Sequence, residues 1–390
     1  MENTRTKKIG EVKMTALEEL KKLPSREKNP YIKEWKADGR KIVGFTCHYA
    51  PKEIINAAGI FPYRLEARGT KETGLADVYY HRFNCTYSRC ILQEGLSGGY
   101  EFLDGLCFLN GCEQIRRLYE VWEEAVPTTD YQYMVTVPHS IYDEGFEWYK
   151  EEIFRFKEDM VSNLSVRLAN SDLRSSIDVY NESKRLLKEL YELRKADNPP
   201  ISGTEAMKII LAADIMPRDK YNALLKKALK QIKSRDGIKD YKARIMIGGS
   251  PLDDTQLIEI IESLGGIVVT DTLCGGSRNF QEFVEVEKDG DPLAAIARCY
   301  YYSNPCPRML GHFESRIQYT EKIAKEANVD GIILQRVVFC DNHAVENTMI
   351  ADELEPKGIP VLNLEREHML SDVGRVRTRI EAFIERISRR

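Results

Sequence analysis

The sequence predicts an α/β protein made of two Rossmann-like (flavodoxin-like) parallel-sheet domains with a helical segment between them. Apolar, β-branched runs of strand length alternate with amphipathic stretches of helix length before residue 145 and again after 240, the rhythm of parallel βαβ units. Between those limits every periodic stretch has helical spacing. A chain of 390 residues also exceeds one ordinary core. The predicted divisions are a helical N-terminal segment over 1–40, a first α/β domain over 41–144, a helical bridge over 145–240 and a second α/β domain over 241–390.

Residues 1–40 are charged and helical in pattern, with Tyr31 and Trp35 as docking side chains. "KIVGFTC" (41–47) reads as a strand, and "PKEIINAAG" as a short helix with Pro51 near its first turn and Gly59 at its end. "IFPYRLEA" is a second strand, "NCTYSRCILQEGL" (84–96) a helix, "GLCFLNGC" (105–112) a strand and "EQIRRLYEVWEEA" an amphipathic helix. "YQYMVTVPH" (131–139) completes the first set of strands. Four helical stretches follow, broken by Pro199-Pro200 and Pro217, with their lysine runs read as solvated faces. From 243 the alternation resumes: "ARIMIGGSP" and "IVVTDTLCGGS" as strands with turns, "DPLAAIARCYYYS" as a helix, "GIILQRVVF" (331–339) and "IPVLNLE" as strands, and "VGRVRTRIEAFIERI" as a closing helix. The two α/β halves are too dissimilar in sequence to be called a repeat.

The composition is globular, 43% hydrophobic and 30% charged, and the net charge of −4 gives no nucleic-acid footprint. No run of 18 apolar residues suggests a membrane span, and the polar N-terminus lacks the apolar core of a signal peptide. A cytoplasmic protein is expected, with neither nucleic acid nor membrane as a partner.

Nine cysteines are the unusual feature. In a reducing compartment they are not a disulfide framework, and an odd number cannot pair completely. Cys47, Cys112, Cys274 and Cys340 each stand just past the carboxyl end of a predicted strand, with helix-like sequence soon after. In open α/β sheets that edge carries the ligand crevice, and a helix N-terminus favours thiolate, the metal-binding form. Cys85 and Cys306 lie on predicted loops or helix starts, with proline on both sides of Cys306; Cys90, Cys107 and Cys299 read as structural. Six thiols with scattered histidines do not suit a catalytic zinc, and the paired cysteines of a structural zinc are missing. Sulfur-rich ligation suits iron–sulfur clusters, although the ligands are dispersed rather than run together as in a ferredoxin. A nucleophilic cysteine is a further reading, since Cys47-His48 and Cys340-Asp341-Asn342-His343 place bases nearby in sequence. These residues alone leave open a metal site and a set of buried free thiols.

An ordered series of stretches narrows the choice: "CHYAPKEIINAAGIFPYRLEA", "NGCEQIRRLYEVW", "VVTDTLCGGSRNF", "DPLAAIARCYY", "VVFCDNHAVE" and "IPVLNLERE…GRVRTRIEAFIE". With these the chain resembles the 2-hydroxyacyl-CoA dehydratase and benzoyl-CoA reductase family, including its double-cubane-cluster relatives, from roughly residue 40 to 386. The resemblance implies an oxygen-sensitive system in which a separate ATP-hydrolysing iron–sulfur activator injects low-potential electrons. It implies a homodimer, or a heterodimer with a related subunit, and a small-molecule substrate of the CoA thioester class. In dehydratase subunits three cysteines hold one [4Fe-4S] cubane, and the matching positions here are Cys85, Cys112 and Cys340. The additional Cys47, Cys274 and Cys306 resemble the reductase-like branch, where six thiolates hold an [8Fe-9S] double cubane.

The resemblance therefore implies a low-potential iron–sulfur reductase, with a radical 2-hydroxyacyl-CoA dehydratase as runner-up and a non-catalytic electron-relay subunit as a second alternative. The chain has no G-x-x-x-x-G-K-[ST] loop, so ATP is expected only on the partner. Gly248, Gly249 and Ser250, in a glycine turn before a helix, are candidates for cradling a CoA phosphate. Arg278 is a candidate contact to the cluster or an anionic ligand, and His48 a candidate proton donor.

Overall fold

A computed structural model describes residues 14–126, 131–303, 306–370 and 372–388. Residues 1–13 of the expected N-terminal helical segment, and Pro305 beside Cys306, lie outside the described residues. The chain begins with α1 (Ala16–Lys21) and α2 (Pro30–Ala37). The first α/β unit then runs β1 (Ile42–Phe45), α3 (Lys52–Ala57), β2 (Phe61–Arg64), α4 (Ala76–Tyr79), α5 (Thr86–Leu96), β3 (Gly105–Leu109), α6 (Glu113–Ala125) and β4 (Gln132–Val135). Four helices follow: α7 (Asp143–Asn163), α8 (Asn170–Arg194), α9 (Gly203–Ala212) and α10 (Arg218–Lys233). The second unit is β5 (Ala243–Gly249), α11 (Gln256–Ser263), β6 (Gly266–Asp271), α12 (Pro292–Tyr302), α13 (Phe313–Glu326), β7 (Gly331–Val337), α14 (Asp341–Leu354), β8 (Val361–Arg366) and α15 (Val373–Ser388).

The strands form two parallel sheets, in the orders β2-β1-β3-β4 and β6-β5-β7-β8. Both sheets thus share one strand order, a likeness that the sequences do not display. In each, the chain adds one strand on one side of its first strand and then crosses to the other. The connections therefore diverge above the carboxyl ends of β1 and β3, and of β5 and β7, which opens a crevice at each place. The central strands β1, β3 and β5 are buried throughout, which explains their continuous apolar runs. Strand β7 stops at Val337, short of the apolar run, because Phe339 takes a left-handed φ of +63°.

Helix α8 ties the two halves together. Its early residues Leu173 and Ile177 are buried in the core around Val43 and Phe45 of the first sheet. Its later residues Leu186, Leu187 and Leu190 are buried with Ile245 and Ile247 of the second. A 25-residue helix spans about 37 Å at 1.5 Å per residue, enough to line both cores. The chain also crosses back: Val284, Leu293, Ile296, Tyr301 and Met309 all pack in the first sheet's core. That return carries the segment bearing Cys306 towards the first sheet. Among the described residues no helix is long and apolar enough to cross a membrane.

Candidate metal centre

Each crevice delivers thiols by the same local logic. Cys85, Cys112 and Cys340 are the N-cap residues of α5, α6 and α14, so free backbone N–H groups of a first helical turn lie beside each sulfur. Cys47 follows β1, Cys274 follows β6, and Cys306 sits on the segment that crosses back to the first sheet. All six line one cavity of about 320 Å³ between the two sheets' carboxyl edges, together with Arg64, Arg278, Arg308, Ser250 and His343. The other three cysteines lie elsewhere. Cys107 is inside β3, Cys90 is buried on α5, and Cys299 on α12 has its sulfur 3.8 Å from the Ser303 hydroxyl.

Neighbouring thiols add to the effect of burial on one another, in an overlapping pattern. Cys85 senses Cys340, and Cys112 senses Cys85 and Cys340. Cys47 senses Cys306 and Cys274. Cys112 also senses Cys47, and Cys340 senses Cys306. Burial, aided by these neighbours, pushes the Cys47 and Cys85 thiols up to about 11, and raises Cys112 and Cys340 as well. Burial thus outweighs the helix N-termini while the sulfurs carry protons, so a metal that takes them as thiolates must displace those protons. The donor set fits a sulfur-ligated metal cluster: many thiols, converging from separate loops, with cations close by.

Three guanidinium groups supply those cations. Arg64, Arg278 and Arg308 are all buried, and all line the cavity. Arg308 is fixed by the carbonyls of Pro138, Asn110 and Val137 at 3.1, 2.9 and 2.7 Å. Burial would lower the Arg278 pKa, but Cys306 and Cys274 raise it, so it stays charged. Sequence reasoning singled out Arg278 and missed Arg64 and Arg308. Their only available signals were a charged residue ending the otherwise apolar β2 and an arginine two places after Cys306.

His48 does not line the cysteine cavity. It faces an adjacent space of about 50 Å³ with Lys52, Glu53, Lys184 and Arg218, behind the Cys274 loop. Its Nδ1 is 3.1 Å from Lys52 Nζ and its Nε2 is 3.4 Å from Asp214 Oδ2. Burial, then Lys52 and Arg64, hold its pKa well below the usual range. His343 does line the cavity, and burial with the Arg278 charge lowers it to about 3. The Gly248-Gly249-Ser250 turn faces β7: Ser250 N–H donates to Gln335 O at 3.0 Å, and its hydroxyl accepts from Val337 N–H at 3.0 Å. Asp253, Asp254 and His368 also gather within 4.8 Å at the seam between the halves. Asp253 accepts the Ala67 N–H from across the seam at 2.5 Å and lies 3.2 Å from His368 Nε2 within its own half.

The Cys274 loop hangs on one carboxylate. Asp271 Oδ1 accepts from Leu273 N–H at 3.1 Å and Ser277 N–H at 2.9 Å, while Tyr191 of α8 donates its hydroxyl to Oδ2. A Cβ on Gly276 would lie 2.0 Å from Asp271 Oδ1, so only glycine fits. Tyr191→Phe leaves a fully buried carboxylate short of one bond, and should cost about 2 kcal/mol. A urea melt of the variant checks this, and an unchanged midpoint would show the loop to be held by other contacts.

Fold and cavity together define a class: a two-domain α/β protein whose facing sheet edges deliver six cysteines to one buried, cationic pocket. The sequence profile described as "2-hydroxyglutaryl-CoA dehydratase, D-component" matches residues 47–387, and the chain belongs to that family. It is 26% identical to a benzoyl-CoA reductase subunit of Thauera aromatica, covering 91% of this chain and 93% of the relative. It is 23% identical to the (R)-phenyllactyl-CoA dehydratase beta subunit of Clostridium sporogenes, covering 94% and 97%. Identity with the beta subunit of (R)-2-hydroxyglutaryl-CoA dehydratase from Acidaminococcus fermentans is 22%, covering 95% and 98%.

Proposed function

We propose that this chain is the iron–sulfur subunit of an ATP-dependent, low-potential reductase system. In this reading Cys47, Cys85, Cys112, Cys274, Cys306 and Cys340 hold an [8Fe-9S] double cubane. The observation that carries it is the convergence of all six thiols on one cavity. Bound there, such a cluster supplies one-electron chemistry at very negative potential. The chain's own residues do the rest. Helix N-termini and the charges of Arg64, Arg278 and Arg308 offset the negative charge of thiolate ligation. The apolar walls keep water away from the ligands. His48 buttresses the Cys274 loop from behind, in contact with Lys52 and Asp214.

Electrons arrive from a separate ATP-hydrolysing activator and leave to a small substrate, a CoA thioester, and the assembly is completed by a second, identical or related protomer. Relatives named as subunits of CoA-ester reductases and dehydratases support this. A second reading is a dehydratase subunit holding one [4Fe-4S] on Cys85, Cys112 and Cys340, which the family description and the dehydratase relatives favour. Iron and acid-labile sulfide per chain in anaerobically purified protein separate the two: about eight irons for the double cubane and about four for the single one. Zinc without iron refutes both.

A further inference from the structure

Phe83 and Phe339 come from opposite halves of the protein, and each is close in sequence to a cysteine of the cavity, outside its lining. Phe83 precedes Cys85 by two residues, and Phe339 immediately precedes Cys340. Their rings meet edge to face, with centroids 5.5 Å apart and planes at 64°. Neither ring is buried, Phe83 being 65% exposed and Phe339 39% exposed, so core packing does not account for the pair. Phe339 also has a φ of +63°, a conformation that glycine adopts freely and an aromatic residue rarely does. That turn ends β7 and directs the ring to Phe83 across the seam. Phe83 is braced in turn: its N–H donates to His81 Nδ1 at 3.2 Å, and the His81 ring lies 4.6 Å from its own. Nearby on the seam polar and half-polar contacts also join the halves. Thr86 donates its hydroxyl to Glu367, and Tyr87 stands 5.2 Å from His368. Those contacts cannot slide open without leaving polar groups unpaired, whereas an exposed ring pair can part and close again.

We propose that the Phe83–Phe339 pair is an aromatic gate over the seam of the cysteine cavity, which sets how large a molecule reaches Cys85 and Cys340. The gate concerns access, and it rests on the reading of this cavity as the cluster site only for its role in turnover. Two measurements on the full chain test it. In metal-free, reduced protein, a bulky maleimide should label Cys85 and Cys340 about three- to tenfold faster in Phe83→Ala than in wild type, the shift in open population expected from losing one aromatic pair. Peptide mass spectrometry reads each thiol. Phe339→Ala should match Phe83→Ala, Phe83→Leu should stay near wild type, and Phe154→Ala, an exposed ring on α7, should change nothing. Wild-type labelling rates in both alanine variants overturn the gate. In cluster-loaded protein, Phe83→Ala should keep its iron content yet release iron faster to a bulky anionic chelator, and release at the wild-type rate would also overturn the gate. Protein that never holds iron sinks the proposed function, but the thiol-labelling rates still decide whether the gate exists.

Discussion

Cys340→Ala protein, purified without oxygen, is expected to lose the visible absorbance of the cluster and most of its iron, while Cys299→Ala keeps both. The two residues are chemically alike and both partly buried, so the contrast isolates position. Cys340 caps α14 and lines the cavity together with Cys85 and Cys112. On the proposed ligation, its removal would leave an iron without a protein ligand at a site where burial keeps water from substituting. Loss of a partner merely supporting a metal ligand weakens binding ten- to a hundredfold, so loss of the ligand should exceed about a hundredfold. Cys299 sits on α12, with its sulfur near Glu282 O at 3.9 Å and Ser303 Oγ at 3.8 Å, facing the smaller space behind the Cys274 loop. Its removal deletes one small, partly exposed group. Helical circular dichroism should be unchanged in both variants, which excludes misfolding as the cause. Equal iron in the two proteins would remove Cys340 from the ligand set.

The parallel sheets were legible because their strands are buried on both faces and read as continuous apolar runs, as in "IVGF" and "GLCFL". The placement of cysteines at strand ends was legible for the same reason: once β1, β3, β6 and β7 are recognised, Cys47, Cys112, Cys274 and Cys340 follow them in sequence. The shared strand order was not legible, since it is set by which side of β1 and β5 each crossover takes, and no local residue pattern records that. Nor was the return of Val284, Leu293, Ile296, Tyr301 and Met309 into the first core, because Leu293 and Ile296 would pack equally well on either sheet. The short α4 was missed for a different reason: four residues with Val78 and Tyr79 exposed carry no helical periodicity. Arg64 and Arg308 illustrate the general limit for a site. A buried charge is tolerated only because of what three-dimensional packing brings beside it, here the Asp214 carboxylate and Cys274 for Arg64 and the carbonyls of Asn110, Val137 and Pro138 for Arg308, none of them a sequence neighbour.

Gly249→Ala should be the most damaging single methyl among the described glycines. Gly249 ends β5 opposite Gln335 of β7, with φ at +109°, where a side chain is strained whatever the space around it. A Cβ there would lie 1.7 Å from the Gln335 carbonyl oxygen, a backbone atom that cannot swing aside as a side chain would. Relief requires β5 and β7 to separate at their carboxyl ends. That separation breaks the Ser250 N–H bond to Gln335 O and the Val337 N–H bond to Ser250 Oγ, both buried. Backbone strain, overpacking and two lost buried bonds together put the cost above roughly 4 kcal/mol. This is a large part of the stability of most domains, so the variant should be largely insoluble or unfold at a much lower urea concentration. Its soluble remainder should hold less iron, because the β7 turn that moves is the one that presents Cys340, which lines the cavity beside Ser250. Ser250→Ala provides the graded comparison: it removes the hydroxyl but not the close approach, and should cost about 1–3 kcal/mol while the fold persists. A Gly249→Ala protein with wild-type solubility and urea midpoint would mean that β5 and β7 do not meet as closely as this register requires.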